Sequence, residues 1–259
     1  MARATNPAEY RIEEVQDLGQ VEAVRDLQAE IWGSAAIACP STLLWVISQA
    51  GGTVLLASAG DRPIGFAYGF VGRSQTGVVY HRSHAAGVLP EFQNSGIGRA
   101  LKLAQGKAVR ASGLSRIVWT FDPSQIRNAH FNLRRLGATA RGFCRDYYGQ
   151  RDDALSRGLP TDRLLVEWFL DEAESSELAR LRRRADLVRV LVPQGLPARP
   201  GDDPQRAKGP QAELRAGLET ALASGLQVID FDAESRSYLL AELPPSFPGP
   251  AELMPGSSA

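Results

Sequence analysis

A glycine-rich turn between an apolar stretch and an amphipathic segment constrains this chain more than any other feature. It reads Val88-Leu89-Pro90-Glu91-Phe92-Gln93-Asn94-Ser95-Gly96-Ile97-Gly98-Arg99-Ala100-Leu101. The residues before the turn predict a strand, and the helical spacing of apolar residues after it predicts a helix that ends near Gly113. Gly96 and Gly98 leave backbone amides unshielded at the positive end of that helix, which favours an anion such as a pyrophosphate.

Two common phosphate-binding loops do not fit this turn. A Walker loop requires Gly-Lys-Ser/Thr, a triplet that the chain lacks. A dinucleotide fingerprint requires a small residue at the position of Leu101. What does fit is Gln93-x-x-Gly96-x-Gly98, directly after Val88-x-Pro90.

This longer motif resembles the CoA-binding turn of the GNAT superfamily of acyl-CoA-dependent N-acyltransferases. The resemblance implies a cofactor site for acyl-CoA, either acetyl-CoA or succinyl-CoA, whose pyrophosphate is held by Gln93, Asn94, Ser95, Gly96, Ile97, Gly98 and Arg99. It also implies that a backbone N–H near Val88 polarises the thioester carbonyl. Asn128 is the implied contact for the arm of CoA, and capping of a short helix over 128–136 is the alternative role for this residue.

Periodicity predicts the element order β-α-α-β-β-β-α-β-α-β-β between Tyr10 and Leu170. This order is that of the GNAT fold, an α/β (α+β) class with a mixed, mostly antiparallel central sheet flanked by helices. The predicted domains are an acyltransferase domain over 1–170, a small α+β extension over 171–243 and a disordered tail over 244–259. Within the extension, we expect a mobile Pro/Gly-rich stretch over 193–210 and a helix over 211–224.

His84 is the predicted general base, since an imidazole accepts a proton near neutral pH. Strand alternation places it on the face of Ala86 and Val88 unless a bulge intervenes. Many members of the GNAT superfamily carry a tyrosine shortly before the position of Gly137, where it acts as the general acid. This chain has no tyrosine in that run.

The nearest alternatives for the acid are Tyr147 and Tyr148. A phenol with a pKa near about 10 can protonate a thiolate whose acid has a pKa around 8.5. Surface packing is the alternative role for either tyrosine.

Arg82 and Arg163 are the predicted substrate-binding residues, because an arginine binds a carboxylate through two hydrogen bonds. Such a carboxylate can belong to an amino-acid acceptor or to a succinyl chain. The segments Trp119–Pro123 and Gly158–Trp168 resemble a branch of predicted acetyltransferases associated with N-acylation, including N-succinylation, of amino acids. We therefore expect a small amine or amino acid as acceptor, attacked directly in a ternary complex.

Composition excludes several classes of partner. The formal net charge is +0, so nothing in the bulk charge indicates a nucleic-acid or membrane partner. Cys39 and Cys144 form neither a disulfide framework nor a metal site by spacing, and the start of the chain lacks an apolar signal core. We expect a cytoplasmic enzyme without a metal, and a homodimer is compatible with the sequence. A non-catalytic acyl-CoA-binding module and a protein N-acetyltransferase are the alternatives.

Overall fold

The computed structural model describes residues 9–149, 159–196 and 204–250. Contacts within the chain divide it into two compact units, Met1–Ile117 and Val118–Ala259. The predicted element order between Tyr10 and Leu170 is confirmed, as is the prediction of a mostly antiparallel sheet flanked by helices. The predicted domain boundaries stay predictions.

The first unit is built on four antiparallel strands in the order β1-β2-β3-β4. Its strands are β1 (Arg11–Glu14), β2 (Thr53–Ala59), β3 (Arg62–Arg73) and β4 (Val79–Val88), and its helices are α1 (Leu18–Trp32), α2 (Ser41–Gln49) and α3 (Ile97–Ala111). Short 3-10 turns cover Ala35–Ile37 and Pro90–Phe92. The start of α1 is fixed by Asp17, whose side chain accepts a hydrogen bond from the Gln20 amide at 2.8 Å.

Helices cover both faces of this sheet, and successive side chains of β3 point to opposite faces. The Tyr68 hydroxyl reaches Gln28 of α1 at 3.3 Å, so Tyr68 marks the face that α1 covers. Gly65 lies on the opposite face, where a Cβ would stand 3.3 Å from Leu101 of α3. The two faces carry different side chains, and the residues described below as the candidate site lie on both of them.

The register between β3 and β4 shifts at a bulge opposite Tyr68 and Gly69. Tyr68 pairs with Ala85 and Gly69 pairs with Ser83, which leaves His84 as the extra residue on β4. A bulge of this kind reverses the alternation of the bulged strand beyond it. Residues before and after His84 therefore do not follow a single two-residue period.

Among the described residues, six further strands follow in the order β5-β7-β6-β9-β10-β8, and all but the first two residues of β5 lie in the second unit. They are β5 (Arg116–Phe121), β6 (Thr139–Cys144), β7 (Arg163–Phe169), β8 (Val188–Leu191), β9 (Gln227–Asp232) and β10 (Ser237–Ala241), with helices α4 (Ile126–Ala129), α5 (Glu172–Leu181) and α6 (Pro204–Ala223). A turn of π-helix covers His130–Arg135. Because β6 also pairs with β9, the strands of the predicted extension continue the sheet of β6 and β7.

Two predictions about the second half of the chain are wrong in part. Helix α6 begins at Pro204, seven residues before the predicted start, and runs through Pro210. The predicted mobile stretch therefore includes the first turns of a helix, while its residues 197–203 lie outside the described ones. In the predicted tail, Phe247 is buried against Phe169, with ring centroids 5.4 Å apart, and residues 251–259 again lie outside the description.

Candidate functional site

The turn before α3 holds its backbone in the shape that an anion site requires. Asn94 and Gly96 both have positive φ angles, 64° and 92°. Gly96 is also the N-cap of α3 and offers no side chain to cover the first amides of the helix. A Cβ at Gly98 would touch only Val88 at 3.8 Å, so this glycine leaves open space beside the helix start. The turn thus presents exposed amides at the positive end of a helix.

The prediction that Gln93 donates its amide to the pyrophosphate is wrong. Its N–H instead points to the Pro90 carbonyl at 3.3 Å and closes the short 3-10 turn. The Gln93 side chain donates to the Val88 carbonyl at 3.2 Å, and the Ser95 hydroxyl donates to the Phe92 carbonyl at 2.6 Å. Gln93 and Ser95 therefore brace the turn with their side chains.

Val88 presents its amide to the side of β4 that faces away from β3. The Leu89 N–H donates to the Ile64 carbonyl at 3.0 Å, so Leu89 points its amide toward β3. Neighbouring residues in an antiparallel strand point their amides to opposite edges. The Val88 N–H therefore points away from β3, and its contact with the thioester carbonyl stays a prediction.

The prediction that His84 shares a face with Ala86 and Val88 is wrong, because His84 is the bulge residue. Its ring lies 5.4 Å from the ring of Tyr68 and 6.1 Å from the ring of Phe70, measured between centroids. Since Tyr68 marks the face covered by α1, His84 lies on that face, whereas Val88 faces Gly98 of α3. Burial against its neighbours, followed by the charge of Arg82, lowers the pKa of His84 below its ordinary value of 6.5.

Arg82 and Phe70 are cross-strand partners in the β3–β4 register. Directly opposed residues share a face of the sheet, so an arginine, an aromatic ring and the His84 imidazole form one continuous patch. Phe70 is 39% exposed, and His84 also reaches solvent. We call Phe70, Arg82 and His84 the bulge patch.

A second group of polar side chains is buried on the other face of the same strands, beneath α3. We call it the α3 polar cluster, and its members are Thr53, His81, Ser83, Lys102 and Gln105. The Lys102 ammonium donates to the Ser83 hydroxyl and to the Gln105 carbonyl oxygen, both at 2.8 Å. The Gln105 amide donates to the Thr53 hydroxyl at 3.1 Å, and this hydroxyl lies 3.1 Å from His81 Nε2.

Burial decides the ionisation of both basic groups in the α3 polar cluster. Desolvation lowers the pKa of Lys102 from 10.5 to about 7. Desolvation and the charge of Lys102 lower the pKa of His81 to about 4. Sequence reasoning missed this cluster, although Gln105 follows Leu101 by four residues and Ile97 by eight. That spacing places Gln105 on the buried face of α3, together with Ile97 and Leu101.

Tyr147 and Tyr148 lie in the turn after β6, in the second unit. Their ring centroids are 4.7 Å apart, and the Arg163 guanidinium lies 5.2 Å from the centroid of Tyr148. Three of the four predicted site residues of this unit are therefore brought together, with Tyr148 45% exposed. Arg163 also donates to the Asp162 carbonyl at 2.8 Å.

A buried carboxylate holds this tyrosine turn. Asp162 is 1% exposed and accepts hydrogen bonds from Arg215 of α6 at 2.9 and 3.1 Å. It also accepts from the Asp146 amide at 3.1 Å, and Gln211 of α6 lies 3.5 Å away. We call Asp146, Asp162, Gln211 and Arg215 the Asp162 cluster. A further pair, Arg145 and Glu219, joins the same turn to α6 at 2.5 and 2.6 Å.

Asn128 does not cap a helix, contrary to the alternative considered from the sequence. Helix α4 begins at Ile126, two residues earlier, and its N-cap is Gln125. Asn128 is exposed on this short helix, so its side chain is accessible to a ligand. Its predicted contact with CoA stays a prediction.

Neither a metal centre nor a membrane span is found in the described residues. Among them, no three His, Cys, Asp or Glu side chains are grouped so that they could bind a metal ion. None of the helices described combines the length and apolar character that crossing a bilayer requires.

Comparison with protein families matches residues 21–138 to the acetyltransferase (GNAT) family. Comparison with curated protein sequences gives no match.

Solved structures with a similar fold include three acetyltransferases. An acetyltransferase of the GNAT family from Streptococcus pneumoniae has a TM-score of 0.52 at 14% identity, covering 62% of this chain and 99% of its own. The ribosomal-protein-S18-alanine N-acetyltransferase from Escherichia coli has a TM-score of 0.50 at 14% identity, covering 63% and 95%. A phosphinothricin acetyltransferase from Sinorhizobium meliloti, in complex with acetyl-CoA, has a TM-score of 0.50 at 16% identity, covering 63% and 89%.

Proposed function

We propose that this chain, whose residues 21–138 match the acetyltransferase (GNAT) family, is an N-acyltransferase that transfers an acyl group from acyl-CoA to an amino acid. The acceptor amine attacks the thioester directly in a ternary complex. The turn before α3, with Gly96 at φ 92° as the N-cap, is the observation that carries the proposal.

The donor side of the proposal is supported by the turn and by Val88. Backbone amides at the start of α3 bind the pyrophosphate, and the Val88 N–H polarises the thioester carbonyl. Burial raises the pKa of the Cys39 thiol, an effect that a hydrogen bond with Tyr68 only partly offsets, so this thiol is a weaker nucleophile than an ordinary cysteine at neutral pH. For the proton that the CoA thiolate requires as it leaves, Tyr147 and Tyr148, the two phenols of the turn after β6, stay the predicted donors.

The acceptor side is supported by the bulge patch. His84, with its lowered pKa, is neutral at pH 7 and accepts the proton of the attacking amine. Arg82 binds the carboxylate of the acceptor, and Phe70 offers an apolar surface for its side chain. Two of the proteins with a similar fold are named for different acceptors, a ribosomal-protein alanine and phosphinothricin. The proposal of an amino acid as acceptor therefore rests on Arg82 and Phe70 rather than on similarity to these proteins.

Calorimetry with acetyl-CoA and succinyl-CoA tests the donor, and a thiol-release assay with a panel of amino acids tests the transfer. We expect saturable binding of at least one acyl-CoA and release of free CoA with an amino acid that carries an apolar side chain. Binding without thiol release would favour the non-catalytic module. Release of free CoA with a peptide that has a free amino terminus, and with none of the amino acids, would favour a protein N-acetyltransferase. A failure of both acyl-CoA molecules to bind would refute the proposal.

Gly98→Glu tests the pyrophosphate turn more cleanly than a change at Gly96, where φ 92° strains any other residue. A Cβ at Gly98 meets only Val88 at 3.8 Å, so the variant should fold. We expect at least a tenfold loss of CoA affinity, because the new carboxylate occupies the anion site and repels the pyrophosphate. Leu103→Glu is the matched control, since Leu103 is 42% exposed on the same helix. Equal loss in both variants would contradict the assignment.

His84→Ala tests the base. We expect turnover to fall by about a hundredfold or more, within the usual contribution of general base catalysis, with CoA affinity unchanged. Wild-type turnover should fall only below the ordinary histidine value of 6.5, because the pKa of His84 is lowered. Unchanged turnover in the variant across this pH range would remove His84 from the mechanism.

A further inference from the structure

Gln28 is a buried polar side chain on the apolar face of α1. It is 0% exposed, and its amide nitrogen donates to the Val24 carbonyl at 3.2 Å. Its side-chain oxygen accepts two hydrogen bonds, one from the Cys39 N–H at 3.0 Å and one from the Tyr68 hydroxyl at 3.3 Å. Because a buried amide without partners is costly, these three bonds fix the orientation of the Gln28 side chain.

The Tyr68 ring is held at both its hydroxyl and its side. This residue is 2% exposed on β3, and its hydroxyl is hydrogen-bonded with the Cys39 thiol as well as with Gln28. Phe66, on the same face of the strand, stacks on the Tyr68 ring with centroids 6.1 Å apart. Packing and hydrogen bonds together therefore keep the Tyr68 ring in one position.

The imidazole of His84 lies against this fixed ring, with centroids 5.4 Å apart and planes 40° apart. His84 is the extra residue of the β4 bulge, so the β3–β4 register places no residue directly opposite it. The second ring beside the imidazole, that of Phe70 at 6.1 Å, is 39% exposed. Tyr68 is thus the rigid surface on which the orientation of the imidazole depends.

We propose that Tyr68 is a positioning residue for His84 and that the Gln28 oxygen holds Tyr68 in place for this role. This inference rests on the proposed function, since it requires His84 to be the general base. A general base must lie within hydrogen-bond distance of the proton that it accepts, so a small rotation of the imidazole lowers the rate of transfer. Tyr68 acts through the orientation of the imidazole and takes up no proton itself.

Tyr68→Phe and Gln28→Met remove the same hydrogen bond from its two ends. The first change keeps the ring, and the second keeps the length of the side chain. In the thiol-release assay, we expect kcat to fall about three- to tenfold in each variant, because the imidazole loses its fixed orientation, while the KM for acyl-CoA stays unchanged. The double variant should fall about as far as Gln28→Met alone, since both changes act through one bond.

Two controls separate positioning from a general loss of packing. In the His84→Ala background, Tyr68→Phe should cause no further fall in kcat, because the residue through which Tyr68 acts is absent. Tyr238→Phe removes another buried hydroxyl, one that donates to the Pro123 carbonyl at 2.6 Å, and should leave kcat unchanged. A further fall in the His84→Ala background, or equal falls in Tyr68→Phe and Tyr238→Phe, would overturn the inference.

Proton NMR of the imidazole tests the positioning without acyl transfer. The chain has three histidines, and the spectrum of His84→Ala identifies the Hε1 resonance of His84. The ring current of Tyr68 acts on this resonance, so we expect it to move in Tyr68→Phe and Gln28→Met and to stay in place in Tyr238→Phe. A resonance that does not move in the first two variants would overturn the inference and leave the proposed function standing. Full turnover in His84→Ala would instead overturn the proposed base, and this inference with it.

Discussion

The α3 polar cluster and the Asp162 cluster bury a charge in two different ways. In the first unit, Lys102 is 4% exposed and is bonded to two neutral groups, the Ser83 hydroxyl and the Gln105 amide. In the second unit, Asp162 is 1% exposed and faces the guanidinium of Arg215 at 2.9 and 3.1 Å. The Lys102 ammonium donates to two dipoles, whereas the Asp162 carboxylate accepts from an opposite charge.

This difference determines how each cluster responds to its surroundings. Desolvation lowers the pKa of Lys102 to about 7, so its charge depends on pH and on nearby anions. An ion pair with several hydrogen bonds fixes geometry instead. Asp162 accepts from the Asp146 amide of the turn, and the adjacent Thr161 accepts from the amides of Tyr147 and Tyr148. The first cluster therefore responds to pH, whereas the second is suited to hold a loop in place.

Arg215→Met should produce the largest effect, because it leaves the buried Asp162 carboxylate without its guanidinium. We expect a loss of about 3–4 kcal/mol in the free energy of unfolding, since removal of one partner exposes the desolvation cost of the other. Denaturant unfolding at pH 7 measures it. The double variant with Asp162→Asn should recover part of this loss.

The matched control for Arg215→Met is Arg25→Met. Arg25 pairs with Asp26 at 2.7 Å, but both side chains are exposed to solvent. Such pairs contribute little, so we expect no measurable change in the midpoint of denaturation. If Arg215→Met matched this control, the Asp162 cluster would not hold the second unit together as described.

Lys102→Met tests the opposite behaviour through the pH dependence of stability. Since the pKa of Lys102 in the folded state, about 7, lies below its ordinary value of 10.5, the unfolded chain binds more protons between these values. The cost of burying the charge is therefore complete below pH 7, declines as pH rises and is absent above about 10.5.

The wild type should accordingly gain about 2 kcal/mol in the free energy of unfolding from pH 7 to pH 9, relative to Lys102→Met, at about 1.4 kcal/mol per pH unit. His81 does not contribute in this window, because its pKa is lowered to about 4. The difference in the slope of unfolding free energy against pH is the decisive quantity. The absolute free energies also differ because the variant removes the ammonium that donates to the Ser83 hydroxyl and to the Gln105 carbonyl oxygen. Parallel curves of unfolding free energy against pH for the two proteins would show that folding does not lower the pKa of Lys102.

Much of this fold follows from the sequence because its elements have regular periods. Strand β5 (Arg116–Phe121) and helix α2 (Ser41–Gln49) begin and end where apolar spacing and turn residues place them. The anion turn is also readable, since Gly96 occupies a position with φ 92° that favours glycine. These features depend on neighbours in the sequence alone.

The remaining features depend on contacts between distant residues. The bulge at His84 reverses strand alternation, and only its register with Tyr68 and Gly69 shows this. A proline usually ends a helix, but α6 continues through Pro210. Burial of Ala207, Leu214 and Leu218 along one side offsets the lost hydrogen bond. The α3 polar cluster was hidden for a similar reason, because a lysine in a helix is normally solvated.

Thr53→Val should produce the smallest effect and separates polar packing from titration within the α3 polar cluster. The change keeps the shape of the side chain and removes the hydroxyl that accepts from Gln105 at 3.1 Å and lies 3.1 Å from His81. We expect a loss of about 1–2 kcal/mol in the free energy of unfolding, the usual cost of a buried hydrogen bond whose partners remain. This loss should be the same at pH 7 and pH 9, since neither Gln105 nor neutral His81 changes charge between them. A loss that varied with pH would mean that Thr53 acts on the Lys102 ammonium, and the neutral half of the cluster would then belong to the titrating site.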